Sequence, residues 1–118
     1  MSFLFTFIFF ATSARAELVI NISDPNFEPM PIAVTSFHAD DSSRQKIGRD
    51  IASVVTSNLN STGLFRPLDP QAFIQDARSV SASGPRFPEW RAINAQALVA
   101  GTASRADNGQ TRVEFRLY

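Results

Sequence analysis

The 118-residue sequence predicts an α/β domain, a mixed β-sheet with helices packed mainly on one face. Three observations carry that prediction. Ile32 to Phe37, IAVTSF, opens with three consecutive apolar residues, the pattern of a strand covered on both faces. Ile47, Ile51, Val54, Val55 and Leu59 recur at i, i+4, i+7, i+8 and i+12, which is one apolar stripe along a helix. Val113, Phe115 and Leu117 alternate with Arg112, Glu114 and Arg116, as in a strand with one buried face and one wet face.

The elements follow in order. Leu18 to Ile22 is a run of β-favouring residues closed by the turn formers Ser23-Asp24-Pro25-Asn26. Pro29 and Pro31 keep the next link extended, and IAVTSF is the second strand. The helix is predicted to start at Ser42, which with Gln45 forms a capping box, and Asp40 and Asp41 complement its positive end. Arg44, Lys46, Arg49 and Asp50 fall largely off the apolar stripe, and Gly63 suits a left-handed cap after it. Leu64 to Leu68 is a short extended piece that its proline confines to an edge or a strand end. A small helix is expected around Pro70–Ala77 with Asp69 as its cap. Ser79 to Arg86, rich in Ser, Gly and Pro, reads as a mobile loop. Pro88 begins another short helix with Trp90 and Ile93 on one face. Ala97–Thr102 and Thr111–Tyr118 are then two strands joined through Asp107-Asn108-Gly109. The order is β-β-α-β-α-α-β-β, without an internal repeat. The strand pattern is still running at Tyr118, from which a fragment of a longer protein, or a truncated reading frame, is expected.

The first residues point to export. Phe3 to Ala11, FLFTFIFFA, is too short to span a bilayer, which takes about 20 apolar residues. It has the length of a signal-peptide core, about 7–15 residues, and Ala14 and Ala16 supply the small side chains of a cleavage site. Residues 1–16 are therefore assigned to a signal peptide cleaved after Ala16, and residues 17–118 to one domain, incomplete at its C-terminal end. No lysine or arginine precedes the apolar run, a departure from the usual signal.

Composition closes several routes. Lys plus Arg and Asp plus Glu both number 11, so the formal net charge is zero, and loss of Arg15 with the leader makes it −1. The clustered basic excess of a nucleic-acid binder is absent, as is a polybasic membrane patch. With no cysteine, a disulfide framework, a thiolate metal site and a lipoprotein start are excluded. His38, Asp40 and Asp41 are the one place where an imidazole and carboxylates meet, the basis of a hydrolase reading. One histidine and two aspartates are too few ligands for a metal, and no nucleophile elbow or nucleotide loop is present. Phe65, Phe73, Phe87 and Trp90 are read as core. No catalytic, cofactor-binding or metal-binding residue is assigned.

Three segments taken together resemble the amino-terminal domain of TolB, of the Tol-Pal system. They are PIAV with Phe37 beyond it; IGRDIASVVTSNLNSTGLFRPLD; and WRAINAQALVAGTASRADNGQTRVEFRLY. The resemblance covers Leu18 to Tyr118. It implies a periplasmic, non-enzymatic adaptor without a cofactor, an α/β domain that the family follows with a six-bladed β-propeller. Family members link the lipoprotein Pal to the inner-membrane protein TolA, maintaining outer-membrane integrity and supporting constriction at cell division. The propeller makes most Pal contacts, and the residues just after the signal peptide reach TolA. By position that role falls on Glu17, Leu18, Val19, Ile20, Asn21, Ile22 and Ser23. Leu18, Ile20 and Ile22 would share one face, so the segment suits strand addition to a partner's sheet edge. The alternative is that it is a strand of the domain's own sheet. A second class, outer-membrane-associated assembly domains of the curli-secretion or penicillin-binding-protein-activator type, shares the PIAV strand and the amphipathic helix.

Overall fold

The computed structural model describes residues 25–118, as a mixed α/β domain with four strands and three helices. The strands are β1 (Met30–Val34), β2 (Phe65–Pro67), β3 (Ala97–Arg105) and β4 (Thr111–Leu117); the helices are α1 (Ser42–Ser61), α2 (Ala77–Ser83) and α3 (Phe87–Ala92). The sheet order is β2-β1-β3-β4. β1 pairs parallel with both β2 and β3, and β3 and β4 form an antiparallel hairpin. The predicted strand at Leu18–Ile22 and the predicted signal peptide lie outside the described residues.

The central strand is covered on both faces, as its apolar run requires. Ile32 and Val34 pack with Phe37, Ala52 and Val99 under α1, supported by Ile51, Val55 and Leu59. Ala33 points the other way, into a second cluster with Val80, Trp90, Leu98 and Ala100 under α2 and α3. The helices therefore sit on both faces, not mainly on one. The cause is topological. The chain moves one way across the sheet from β1 to β2, then back past β1 to reach β3. Parallel crossovers are overwhelmingly right-handed, so reversing the direction of travel puts the second crossover on the opposite face.

Several boundaries move for local reasons. The N-cap of α1 is Asp41, one residue before the predicted Ser42, and its Oδ1 accepts from Arg44 N at 2.8 Å. Asp41 Oδ1 also accepts from the Ser43 hydroxyl, and Oδ2 from Arg44 Nη1. These contacts, Ser43 first and then Arg44, hold its carboxyl below the usual 3.8. A folded-state value below the unfolded one contributes stability above pH 3.8, lost as pH falls through the folded value. Asp41→Asn is thus expected to lower the thermal midpoint at neutral pH, with the gap to the parent closing in acid. Unfolding curves across pH 2–7 check this; a gap that widens below pH 3.8 contradicts it. At the other end, Gly63 takes φ 72° and donates to Asn60 O, the expected left-handed stop.

The stretch read as a mobile loop is ordered as α2. Asp76 caps it, its Oδ1 accepting from Ser79 N at 2.7 Å, and Gly84 ends it with φ 79°. Val80 buries against the sheet. The helix expected at Pro70–Ala77 is instead a 3-10 turn, Pro70–Ala72, capped by Asp69 as predicted. A fully buried Gln75 fastens these pieces together. Its Oε1 accepts from Arg86 N at 2.8 Å and Trp90 Nε1 at 2.9 Å; its Nε2 donates to Gly84 O and Ser79 Oγ. Every hydrogen-bonding site of that amide used here has a partner, which makes burial of a polar group affordable.

The alternation of β4 is present, but its apolar side is not buried. Val113, Phe115 and Leu117 are 44%, 70% and 68% exposed. They lie opposite Ala103, Gly101 and Val99, hence on the α1 side of the sheet. Helix α1 lies over β1, β2 and β3 and does not cover them.

Candidate functional site

The residues expected to reach a partner, Glu17 to Ser23, lie outside the described residues. The described chain next to them is the stretch leading into β1. Phe27, Glu28 and Met30 line a cleft of about 500 Å³ together with Phe65, Arg66 and Gln96. Phe65 also belongs to the α1-side core, so this cleft borders the interior at the end of the sheet where β1 begins.

At the opposite end of β1 the structure brings His38 and Asp40 together, with Nε2 3.1 Å from Oδ1. His38 is fixed by its backbone, donating to Gly101 O at 2.8 Å and accepting from Ala103 N at 2.8 Å. Asp40 is fully exposed, and the Asp41 carboxylate is occupied at the helix cap. The three residues do not converge on a point. Among the described residues, no three His, Cys, Asp or Glu side chains are grouped closely enough to hold a metal ion.

A larger cleft, about 790 Å³, opens at the carboxyl ends of β1 and β2. It lies between one side of α1, with Arg49, Ser53 and Thr56, and the segment carrying Phe73, Ile74 and Asp76. The position adjoins the reversal of strand order, where open α/β sheets commonly take ligands. Its polar groups are already engaged in part: Thr56 Oγ1 donates to Ala52 O and the Asp76 carboxylate caps α2. No helix among the described residues is long and apolar enough to cross a membrane.

Among the described residues, the two outer strands of the sheet differ. β2 is three residues long and ends in Pro67, which has no N–H to offer. β4 is seven residues long, has no proline and is exposed throughout. The sequence signalled the alternation of β4, but not that its apolar side would be left uncovered. Phe65 and Phe73 are in the core as read, whereas Phe87 is 48% exposed and meets Tyr118 edge-on at 6.1 Å.

The model of one family, the TolB amino-terminal domain, matches residues 18–118. A Tol-Pal system protein TolB from Paramagnetospirillum magneticum (strain ATCC 700264 / AMB-1) is 49% identical over 105 residues. That alignment takes in 89% of this chain and 23% of the relative, so the chain spans about a quarter of the relative's length.

Proposed function

Because the chain belongs to the TolB amino-terminal domain family, we propose that it is a periplasmic adaptor of the Tol-Pal system, without catalytic activity of its own. The observation that carries the reading is the reach of the match. It begins at Leu18, two residues after the predicted cleavage site, and continues through the β3–β4 hairpin. The curli-secretion and penicillin-binding-protein-activator classes share only the opening strand and helix, so the match over residues 18–118 favours the TolB reading over them.

In this reading residues 1–16 direct export and are removed after Ala16, and Glu17–Ser23 meets TolA. A short terminal strand binds a sheet edge through main-chain hydrogen bonds, while Leu18, Ile20 and Ile22 on one face set the register. Pal is the second partner. Together the two contacts serve outer-membrane integrity and constriction at division. A synthetic peptide of residues 17–23 titrated against the carboxy-terminal domain of TolA is expected to bind saturably; no binding at about millimolar peptide, the weak end of specific association, overturns the assignment. His38→Ala in the whole chain is expected to leave TolA binding unchanged, which separates the adaptor from a hydrolase that uses His38.

A further inference from the structure

We propose that Asn108 is a self-modification site, deamidated by the backbone nitrogen of Gly109, and that the β3–β4 turn sets the rate of that reaction. The modification needs neither TolA nor any other partner.

The site lies inside the hairpin connection. Arg105 and Thr111 pair on either side of it, and Asn108 and Gly109 are exposed. Gly109 N donates to Ala106 O at 2.9 Å and Ala106 N to Gln110 O at 2.7 Å, with Gly109 at φ 81°. The loop is thus a tight turn that ends in a left-handed glycine. Asn108 folds its side chain forward along it. Oδ1 accepts from Gln110 N at 3.1 Å, and Nδ2 donates to Gln110 Oε1 at 3.0 Å. The carboxamide is thereby turned toward the C-terminal side, where the Gly109 nitrogen lies, and the hydrogen bond at Oδ1 draws electron density from Cγ. Glycine adds no steric barrier, since nothing lies within 4 Å of where a Cβ would stand.

The chemistry balances with water as the only co-reactant. The Gly109 nitrogen gives up its proton and attacks Asn108 Cγ. The N–Cγ bond forms, the Cγ–Nδ2 bond breaks, and Nδ2 takes up a proton and leaves as ammonia. Water then opens the cyclic imide at either carbonyl, giving aspartate or isoaspartate. In the closed turn Ala106 O holds the Gly109 proton, so the reaction proceeds from the locally opened turn. Either product loses the Nδ2 donor to Gln110 and sets a second carboxylate beside Asp107; isoaspartate also lengthens the turn backbone by one carbon. The other asparagines, Asn21, Asn26, Asn58, Asn60 and Asn94, precede Ile, Phe, Leu, Ser and Ala. Asn60, before the small Ser61, is further held within α1.

The purified chain, incubated in mildly alkaline buffer, digested and mapped by mass spectrometry, is expected to convert at Asn108 ahead of every other asparagine. An isoaspartate-specific methyltransferase should label the same peptide. Conversion is expected to be about tenfold slower in the folded chain than in chain unfolded by urea, a factor on the order of one net turn hydrogen bond. Asn108→Ser is expected to abolish conversion in that peptide, with a thermal unfolding transition verifying that the fold persists. An unmodified Asn108 in the folded chain, over a period in which the unfolded chain converts fully, overturns the proposal. So does earlier conversion at another asparagine. Equal rates in the folded and unfolded chain overturn the control by the turn.

Discussion

Trp90→Ala is expected to cost about 3–5 kcal/mol, a large-to-small change of a buried side chain. A domain of this size has about 5–15 kcal/mol in total, so the variant should be largely or marginally unfolded. Trp90 is buried under β1 and β3, meets the Phe73 ring edge-on at 5.1 Å, and donates from Nε1 to Gln75. Its removal empties the centre of the α2–α3 face and strips one donor from the buried amide. Trp90→Phe keeps most of the ring volume and is expected to lose about 1–2 kcal/mol, since Arg86 N still serves Gln75 Oε1. Urea unfolding of the two variants checks this ordering; a cost for Trp90→Ala below that of Trp90→Phe contradicts it.

Gly48→Ala is the second. In an exposed helix interior this change usually gains about 1 kcal/mol. Here a Cβ at Gly48 would fall 1.9 Å from Phe37 O, a backbone atom that cannot swing aside. Phe37 N in turn donates to Gly48 O at 3.1 Å. The Phe37 ring lies over Gly101, where a Cβ would meet it at 2.7 Å and Glu114 O at 2.5 Å. Phe37 is thus held between two glycines, one from α1 and one from β3. Gly48→Ala forces α1 away from the sheet and is expected to destabilise by at least the 1–3 kcal/mol or so typical of overpacking. Gly48→Ser should do the same, because its Cβ is the same. A rise in the unfolding midpoint for Gly48→Ala would contradict the contact.

What could be read in advance divides along physical lines. Periodicity and capping are local, so α1, its Gly63 stop, the buried IAV strand and the hairpin through Gly109 were legible. Trp90 and Ile93 fell in the core because helical spacing alone places them on one face. Strand order is not local. Nothing in β1 or β2 states that the chain returns across β1 to form β3, and that return puts α2 and α3 opposite α1. The α2 segment looked like a loop because Ser and Gly favour loops by composition. Its helix depends on the Asp76 cap, Val80 burial and a glutamine whose partners lie up to 15 residues away. Gly48 gave no signal either, since a glycine within a helix reads only as a weak point. Burial of the β4 stripe was inferred from alternation, but alternation shows that two faces differ, not that something covers one.

For the candidate site, the order and spacing of three segments named a family, and the match over residues 18–118 established it. The contact residues themselves are assigned by position next to the cleavage site. Calorimetric titration of the TolA carboxy-terminal domain with the purified chain, with and without residues 17–23, tests that assignment most directly. The account predicts saturable binding by the chain with Glu17–Ser23 at its free amino terminus, and loss of that binding when the seven residues are removed while the unfolding transition is retained. Equal binding by both forms would contradict it and move the TolA contact into the folded domain.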